Sequence, residues 1–216
     1  MVRKTKEEAQ ETRSAILDAA ELVFKENGVS RTSLAEIATA AGVTRGAVYW
    51  HFKNKADLFD AMIQRVFGMM EEKLAELQCD TDANPVDSLG DLARHFVDRV
   101  ANDPRYFRLL EISWHKCEYV GEMARSRDKH LECGNRYLSF SEEVFQLAKA
   151  RGYLPASLDS RQAAIGLMAV VDGLIVNWTL DPSVFPLANY GPAIINTYLT
   201  GLRMVSDGET KRPRRS

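Results

Sequence analysis

The sequence predicts an all-α fold, with a small N-terminal three-helix unit followed by a larger helical body. Three observations carry this. No run of alternating apolar and polar residues has turn signals on both sides, as a strand would. Apolar residues instead recur at helical spacing, as Ile16, Ala20, Val23 and Phe24 do. Ser, Thr, Asn or Asp stands before one such stripe after another, and glycine follows several of them. The 216 residues suffice for one domain, or two small ones, with a sizeable core. A content of 45% hydrophobic and 27% charged residues is an ordinary globular balance, so disorder is expected at the ends alone.

Thr5 and Glu8 have capping-box spacing at the start of the first helix, and Gly28 follows as its C-cap. Ser33 and Glu36 repeat that spacing before the stripe Leu34, Ile37, Ala38 and Ala41, which Gly42 stops. Thr44 caps a third, very short helix through about Phe52, and Asn54 a fourth from about Lys55 to Gln78. The segment "CDTDANP" breaks the chain. Asn84–Pro85 opens a helix through about Ala101, and Asp103–Pro104 another through about Cys117. Further helices are expected over Glu122–Arg151, Arg161–Leu180 and Ala193–Met204, with "GYLPASLDS" and "DPSVFPLANYGP" as the loops between them. The tail "SDGETKRPRRS" reads as disordered. The expected organisation is a head over 1–55, a body over 56–205 and a basic tail over 206–216.

The net charge of −2 conceals an asymmetry. Residues 1–55 carry nine basic and seven acidic side chains, whereas 56–202 carry a net of −7. The head can meet an anion while the body does something else. Three cysteines without paired spacing fit a reducing compartment. The charged start "MVRKTKEEAQ" has no apolar stretch of the kind a signal peptide needs. The longest apolar run, Ala163–Val171, is too short to span a bilayer. A cytoplasmic protein without a membrane partner is expected.

The stretch "GVTRGAVYWHFKNK" concentrates aromatic and cationic residues on one short helix. With the helix before it, joined across "AAGVT", it has helix-turn-helix spacing, in which the second helix enters the DNA major groove. At roughly 100° per residue, Val48 and Phe52 fall on one side and anchor the helix. Gly46, Tyr49 and Trp50 face away, with Arg45 and His51 at the borders. Arg45 has the fork that pairs with guanine O6 and N7. Gly46 and Ala47 are small enough to allow close approach. Tyr49 and His51 can donate to phosphate, Trp50 can pack on sugar, and Thr44 can satisfy a free N–H or reach a phosphate. Lys55 starts the next helix, where its charge adds to the free N–H groups.

At these residues a resemblance emerges. "TSLAEIATAAGVTRGAVYWHFKNKADLF" resembles the DNA-binding signature of the TetR family of bacterial repressors, and the likeness runs through residues 12–60. "RKTKEEAQETR", "HKCEYVGEMA" at 115–124 and "VDGLIVNW" at 171–178 are similar to the branch that represses multidrug efflux pumps. The resemblance implies a homodimer of all-α subunits on double-stranded operator DNA. It implies that Arg45, Gly46, Ala47, Tyr49, Trp50, His51 and Lys55 touch that DNA. Thr32 and Ser33 would lie near phosphates at the start of the second helix, and Lys4 and Lys6 would form an arm.

The helix Arg161–Leu180 is apolar nearly all round, and the last helix carries Ile195, Leu199 and Leu202 on one stripe. Gly166 and Gly173 share a face that another backbone could approach. Core packing accounts for part of each helix, and the resemblance implies that both also pair with their copies in a second subunit. Phe67, Met70, Phe96, Phe107, Trp114, Tyr137, Phe140 and Trp178 could fill a core or line a pocket for a small-molecule inducer. Leu110, Val171, Ile175 and Val176 complete the candidate lining. Asp172 interrupts its apolar helix, as either a hydrogen-bonded structural carboxylate or a contact for a polar or cationic ligand atom.

His115, Cys117 and Glu118 do not make a metal site, because 117 points away from its neighbours and two ligands are too few. No cofactor, metal or catalytic group is expected. The function expected is a ligand-responsive repressor of a multidrug efflux operon, released by a mostly apolar, drug-like inducer. The alternatives are a repressor of a metabolic operon that senses an acyl or hormone-like ligand and, from another class, a metal-dependent helical enzyme.

Overall fold

The computed structural model describes residues 6–65, 68 and 83–205. The head consists of α1 (Lys6–Asn27), α2 (Leu34–Ala40) and α3 (Arg45–His51). Helix α4 covers 55–65 among the described residues. The body consists of α5 (Pro85–Asn102), α6 (Pro104–His115), a 3-10 turn (Gly121–Met123), α7 (Ala124–Ala150), α8 (Ser160–Leu180) and α9 (Leu187–Arg203). No strand occurs among the described residues.

Local chemistry sets most boundaries. Gly28 ends α1 at φ 77°, and Gly42 makes the turn after α2 at φ 65°, both in the left-handed region that favours glycine. Ser33 and Glu36 form the reciprocal capping box of α2. Hydrogen bonds from the Ser33 backbone, then its hydroxyl, hold the Glu36 carboxyl below its ordinary range. Thr44, Asn84, Asp103 and Asp159 accept from backbone N–H groups at the starts of α3, α5, α6 and α8. Asn54 Oδ1 accepts from Asp57 N–H at 2.8 Å at the start of α4. Thr5, and the chain beyond residue 68 of the expected fourth helix, lie outside the described residues.

Three boundaries differ from expectation. Helix α6 ends at His115, with Lys116 as its C-cap, short of Cys117. A 3-10 turn rather than α-helix occupies Gly121–Met123 before α7. Helix α9 starts at Leu187, six residues before the expected Ala193, and passes through Pro192. Packing overrides proline there. Leu187, Gly191, Ile195, Leu199 and Leu202 form one buried stripe along α9, and a Cβ on Gly191 would lie 2.5 Å from Val97 Cγ1 of α5.

The helices pack as two units with a shared seam. Phe24 of α1 meets Phe59 of α4 edge to face at 6.3 Å, which ties the start of α4 into the head. Helices α5, α7, α8 and α9 pack against one another to form the body, and α6 lies between α8 and α1. Gly166 admits the Tyr198 ring of α9, whose hydroxyl donates to the Ala163 carbonyl at 2.8 Å. Gly173 faces open space.

Candidate nucleic-acid interface and ligand cavity

Two buried side chains fix α3. Val48 is buried in the head core, and Phe52 is buried beneath the Arg13 guanidinium of α1, 5.1 Å from the ring centre. Thr44, Arg45, Gly46, Tyr49 and Trp50 are exposed, and Ala47 and His51 are half-buried. Trp50 is 74% exposed, a large apolar area to leave at the surface. Its ring stands edge to face against His51 at 4.5 Å. Arg45 lies over the Tyr49 ring at 5.4 Å and donates to its hydroxyl at 3.4 Å. That i, i+4 pairing holds the guanidinium outward before any partner arrives.

The structure turns two of the residues assigned to DNA inward. Thr32 is buried, and its hydroxyl donates to the Gly28 carbonyl at 2.8 Å. Lys55 is buried too, its ammonium held by the Ser30 and Thr32 carbonyls at 3.2 and 3.0 Å and by Glu122 at 2.8 Å. Helical phase did not reveal this, because both residues answer to a loop carbonyl rather than to a stripe. Ser33 remains exposed, with its hydroxyl engaged by Glu36. Lys6 is exposed at the start of α1, and Lys4 lies outside the described residues.

The body encloses a cavity of about 210 Å³ between α5, α6, α7 and α8. Phe96, Leu110, Trp114, Tyr137, Val171, Asp172 and Val176 line it, as the sequence suggested. Phe140 and Ile175 do not, since both point into the packed core. Phe107 and Trp178 pack on each other edge to face at 5.4 Å instead. Phe67 and Met70 lie outside the described residues. The sequence reading missed Leu89, Ala93, His130, Cys133 and Ser141. The spacing of His130, Cys133, Tyr137 and Ser141 along α7 was a usable signal, obscured by their mixed polarity.

The cavity wall is apolar except at a few points. Burial lowers the pKa of His130, which favours its neutral imidazole. Asp172 is the one acidic side chain among the described lining residues. It sits at the rim, exposed to solvent in the single chain. Its apolar surroundings nevertheless push the carboxyl up to about 6. The direction follows from burial, and no lysine or arginine stands among the described lining residues. Such a group favours a ligand cation when ionised and a hydrogen-bond acceptor when protonated. His115, at the end of α6, turns to Thr179 Oγ1 at 3.0 Å.

A partly exposed ion cluster around the buried Glu21 joins the two units. Glu21 of α1, its side chain 3% exposed, meets Arg65 of α4 and Arg105 and Arg108 of α6 at 3.0, 2.8 and 3.3 Å. Asp18 adds bonds to Arg65 at 2.6 Å and Arg105 at 2.8 Å. Helix α6 thus carries cavity residues Leu110 and Trp114 and grips the head with its first two turns.

Comparison with known proteins agrees with both halves of this picture. The profile of bacterial regulatory proteins of the tetR family matches residues 16–62. That of the C-terminal region of MAATS-type transcriptional repressors matches residues 84–204. The transcriptional regulator AcrR of Shigella flexneri is 40% identical over 209 residues, 92% of this chain and 94% of that protein. The crystal structure of NalD, secondary repressor of the MexAB-OprM multidrug efflux pump in Pseudomonas aeruginosa, is similar at 35% identity with a TM-score of 0.84. It covers 93% of this chain and 100% of NalD. A complex with triclosan of SmeT, the Stenotrophomonas maltophilia efflux-pump repressor, is similar at 29% identity and a TM-score of 0.82, over 95% and 100% of the two chains. Likeness of this extent, over a head built for DNA and a body built around a cavity, means that the chain belongs to the TetR family of bacterial transcriptional regulators.

Proposed function

We propose that the protein is a cytoplasmic repressor that binds a near-palindromic operator as a homodimer and leaves it when a mostly apolar, drug-like inducer fills the body cavity. By likeness to NalD and SmeT, the genes it controls encode a multidrug efflux pump. The observation that carries this reading is the double duty of α6, which lines the cavity with Leu110 and Trp114 and holds Glu21 of the head with Arg105 and Arg108. A ligand that displaces α6 displaces the head. Ligand and DNA then oppose each other by roughly 1–3 kcal/mol, about 5- to 150-fold in affinity. Arg45, Gly46, Ala47, Tyr49, Trp50 and His51 face the DNA, with Thr44 and Ser33 near phosphates.

The pairing surface is the outer stripe of α8 and α9. Ile165 and Leu180 on α8, Tyr190 and Ile194 on α9, and Met204 at the C-cap of α9 are exposed in the single chain. Helix α8 is long and apolar enough to cross a bilayer by composition, yet it packs on α6, α7 and α9. A second subunit gives its outer side an apolar neighbour without a membrane.

The test uses duplexes selected by the protein from a random library. Protein is titrated onto them with and without triclosan, the compound found in SmeT. The expected result is one dimer per near-palindrome and weaker binding when triclosan is present. If triclosan and a long-chain acyl thioester both leave binding unchanged while each occupies the cavity, the coupling is wrong. Release by the acyl thioester alone would instead favour control of a metabolic operon.

A further inference from the structure

Gly134 stands apart from the glycines of α8 and α9. At Gly166 and Gly191 a neighbour occupies the space that a side chain would take. An added Cβ would lie 2.7 Å from Tyr198 Cζ at the first and 2.5 Å from Val97 Cγ1 at the second. Gly173 and Gly201 face open space, exposed on the helices that carry the proposed pairing surface. Gly134 lies in the interior of the 27-residue α7, without the positive φ that favours glycine. An added Cβ there would meet no neighbouring atom within 4 Å. Glycine weakens a helix interior relative to alanine, and neither backbone geometry nor packing requires it at this position.

The surroundings of Gly134 are the cavity. His130, Tyr137, Leu138 and Ser141 share its face of α7 by helical spacing, and all line the cavity with it. A side chain at 134 would enter that space. Phe96, Trp114 and Tyr137 give the same cavity three aromatic rings, surfaces that suit another ring better than a flexible chain. We propose that Gly134 is a specificity-determining residue: its missing side chain keeps the middle of the α7 wall flat and reserves a slot there for the second ring of a multi-ring apolar inducer. The helix gives up stability for ligand size. The inference rests on the cavity being the inducer site.

Opposite changes in stability and affinity identify such a residue. The full chain carrying Gly134→Ala or Gly134→Leu is compared with wild type in denaturant midpoint and in binding to two probes. Triclosan has two rings, and 3-chlorophenol is its phenol ring alone. Calorimetry reads the first and ligand-observed NMR the second. Both variants are expected to raise the midpoint, since alanine and leucine favour a helix over glycine. Gly134→Leu is expected to weaken triclosan binding roughly tenfold or more, and Gly134→Ala less, while 3-chlorophenol binding changes little. Unchanged triclosan binding in Gly134→Leu, or equal losses for the two probes, would overturn the inference and leave the inducer site standing. So would a lower midpoint in Gly134→Ala, because packing and not the ligand would then require glycine. Should Gly134→Leu fail to fold, Gly134→Ala decides by the same signs. Failure of the wild type to bind either probe would instead overturn the cavity as the inducer site, and the inference with it.

Discussion

At the scale of single residues, the proposed DNA-reading face consists of a few exposed side chains on α3. The stack of Arg45 on Tyr49 restricts the guanidinium, which would lower the ordering cost of the proposed contact with a base. Arg45→Ala is expected to weaken binding to the selected duplex roughly tenfold or more, with less effect on a scrambled duplex; fluorescence anisotropy would measure both. Equal losses on the two duplexes would mean that Arg45 reads phosphate and not base. Asp172 makes a separate prediction in the body. Its carboxyl, raised to about 6 by burial, is ionised at pH 7.5 and largely protonated at pH 5. Tetraphenylphosphonium, an apolar cation that does not titrate, should therefore bind about tenfold more weakly at pH 5 than at pH 7.5. Asp172→Asn should abolish that dependence, and calorimetry at the two pH values reads it directly.

At the scale of elements, the seam between head and body carries an ion cluster, whereas α5 and α9 within the body meet through apolar contacts. The Glu21 carboxylate is paired with arginines from α4 and α6. Glu21→Gln removes the charge that those guanidinium groups share and is expected to cost about 3 kcal/mol of stability, read as a lower denaturant midpoint. A loss below about 0.5 kcal/mol would mean that solvent already screens the cluster. Gly191 tests the apolar seam between α5 and α9. Alanine there would place its methyl 2.5 Å from Val97 Cγ1, a branched side chain with little freedom to turn aside. Gly191→Ala is expected to destabilise the body by about 1–3 kcal/mol. An unchanged midpoint would show that α9 can slide away from α5.

At the scale of the whole molecule, the exposed apolar residues of α8 and α9 are what the proposed homodimer would cover. Light scattering of the purified protein should give twice the 24.3 kDa of one subunit. Ile194→Glu, on the outer side of α9, should shift the protein toward monomer and lose operator binding without unfolding, because two heads are needed for two half-sites. A monomer with full operator affinity would remove dimer spacing from the mechanism. The α6 link between cavity and head lies within one subunit, so in the proposed mechanism a change of head angle would become a change of head separation only through the second subunit of the proposed homodimer.

Sequence alone determined whatever depends on neighbours along the chain. The capping box of α2, the Thr44 cap, the glycine after α1 and the buried and exposed sides of α3 all follow from spacings of a few residues, where local chemistry and helical period act without help. The kinds of side chain in the head and the apolar weight of α8 were legible for the same reason. Tertiary structure decided what depends on residues far apart in sequence. It carried α9 back through Pro192 because burial against α5 outweighs the lost hydrogen bond, it sent Phe140 and Ile175 into the core while opening the cavity to His130 and Ser141, and it drew Lys55 away from the surface. That last outcome turns on a ring of acceptors from a loop and a distant turn, and no spacing near residue 55 could disclose that Glu122 stands beside it.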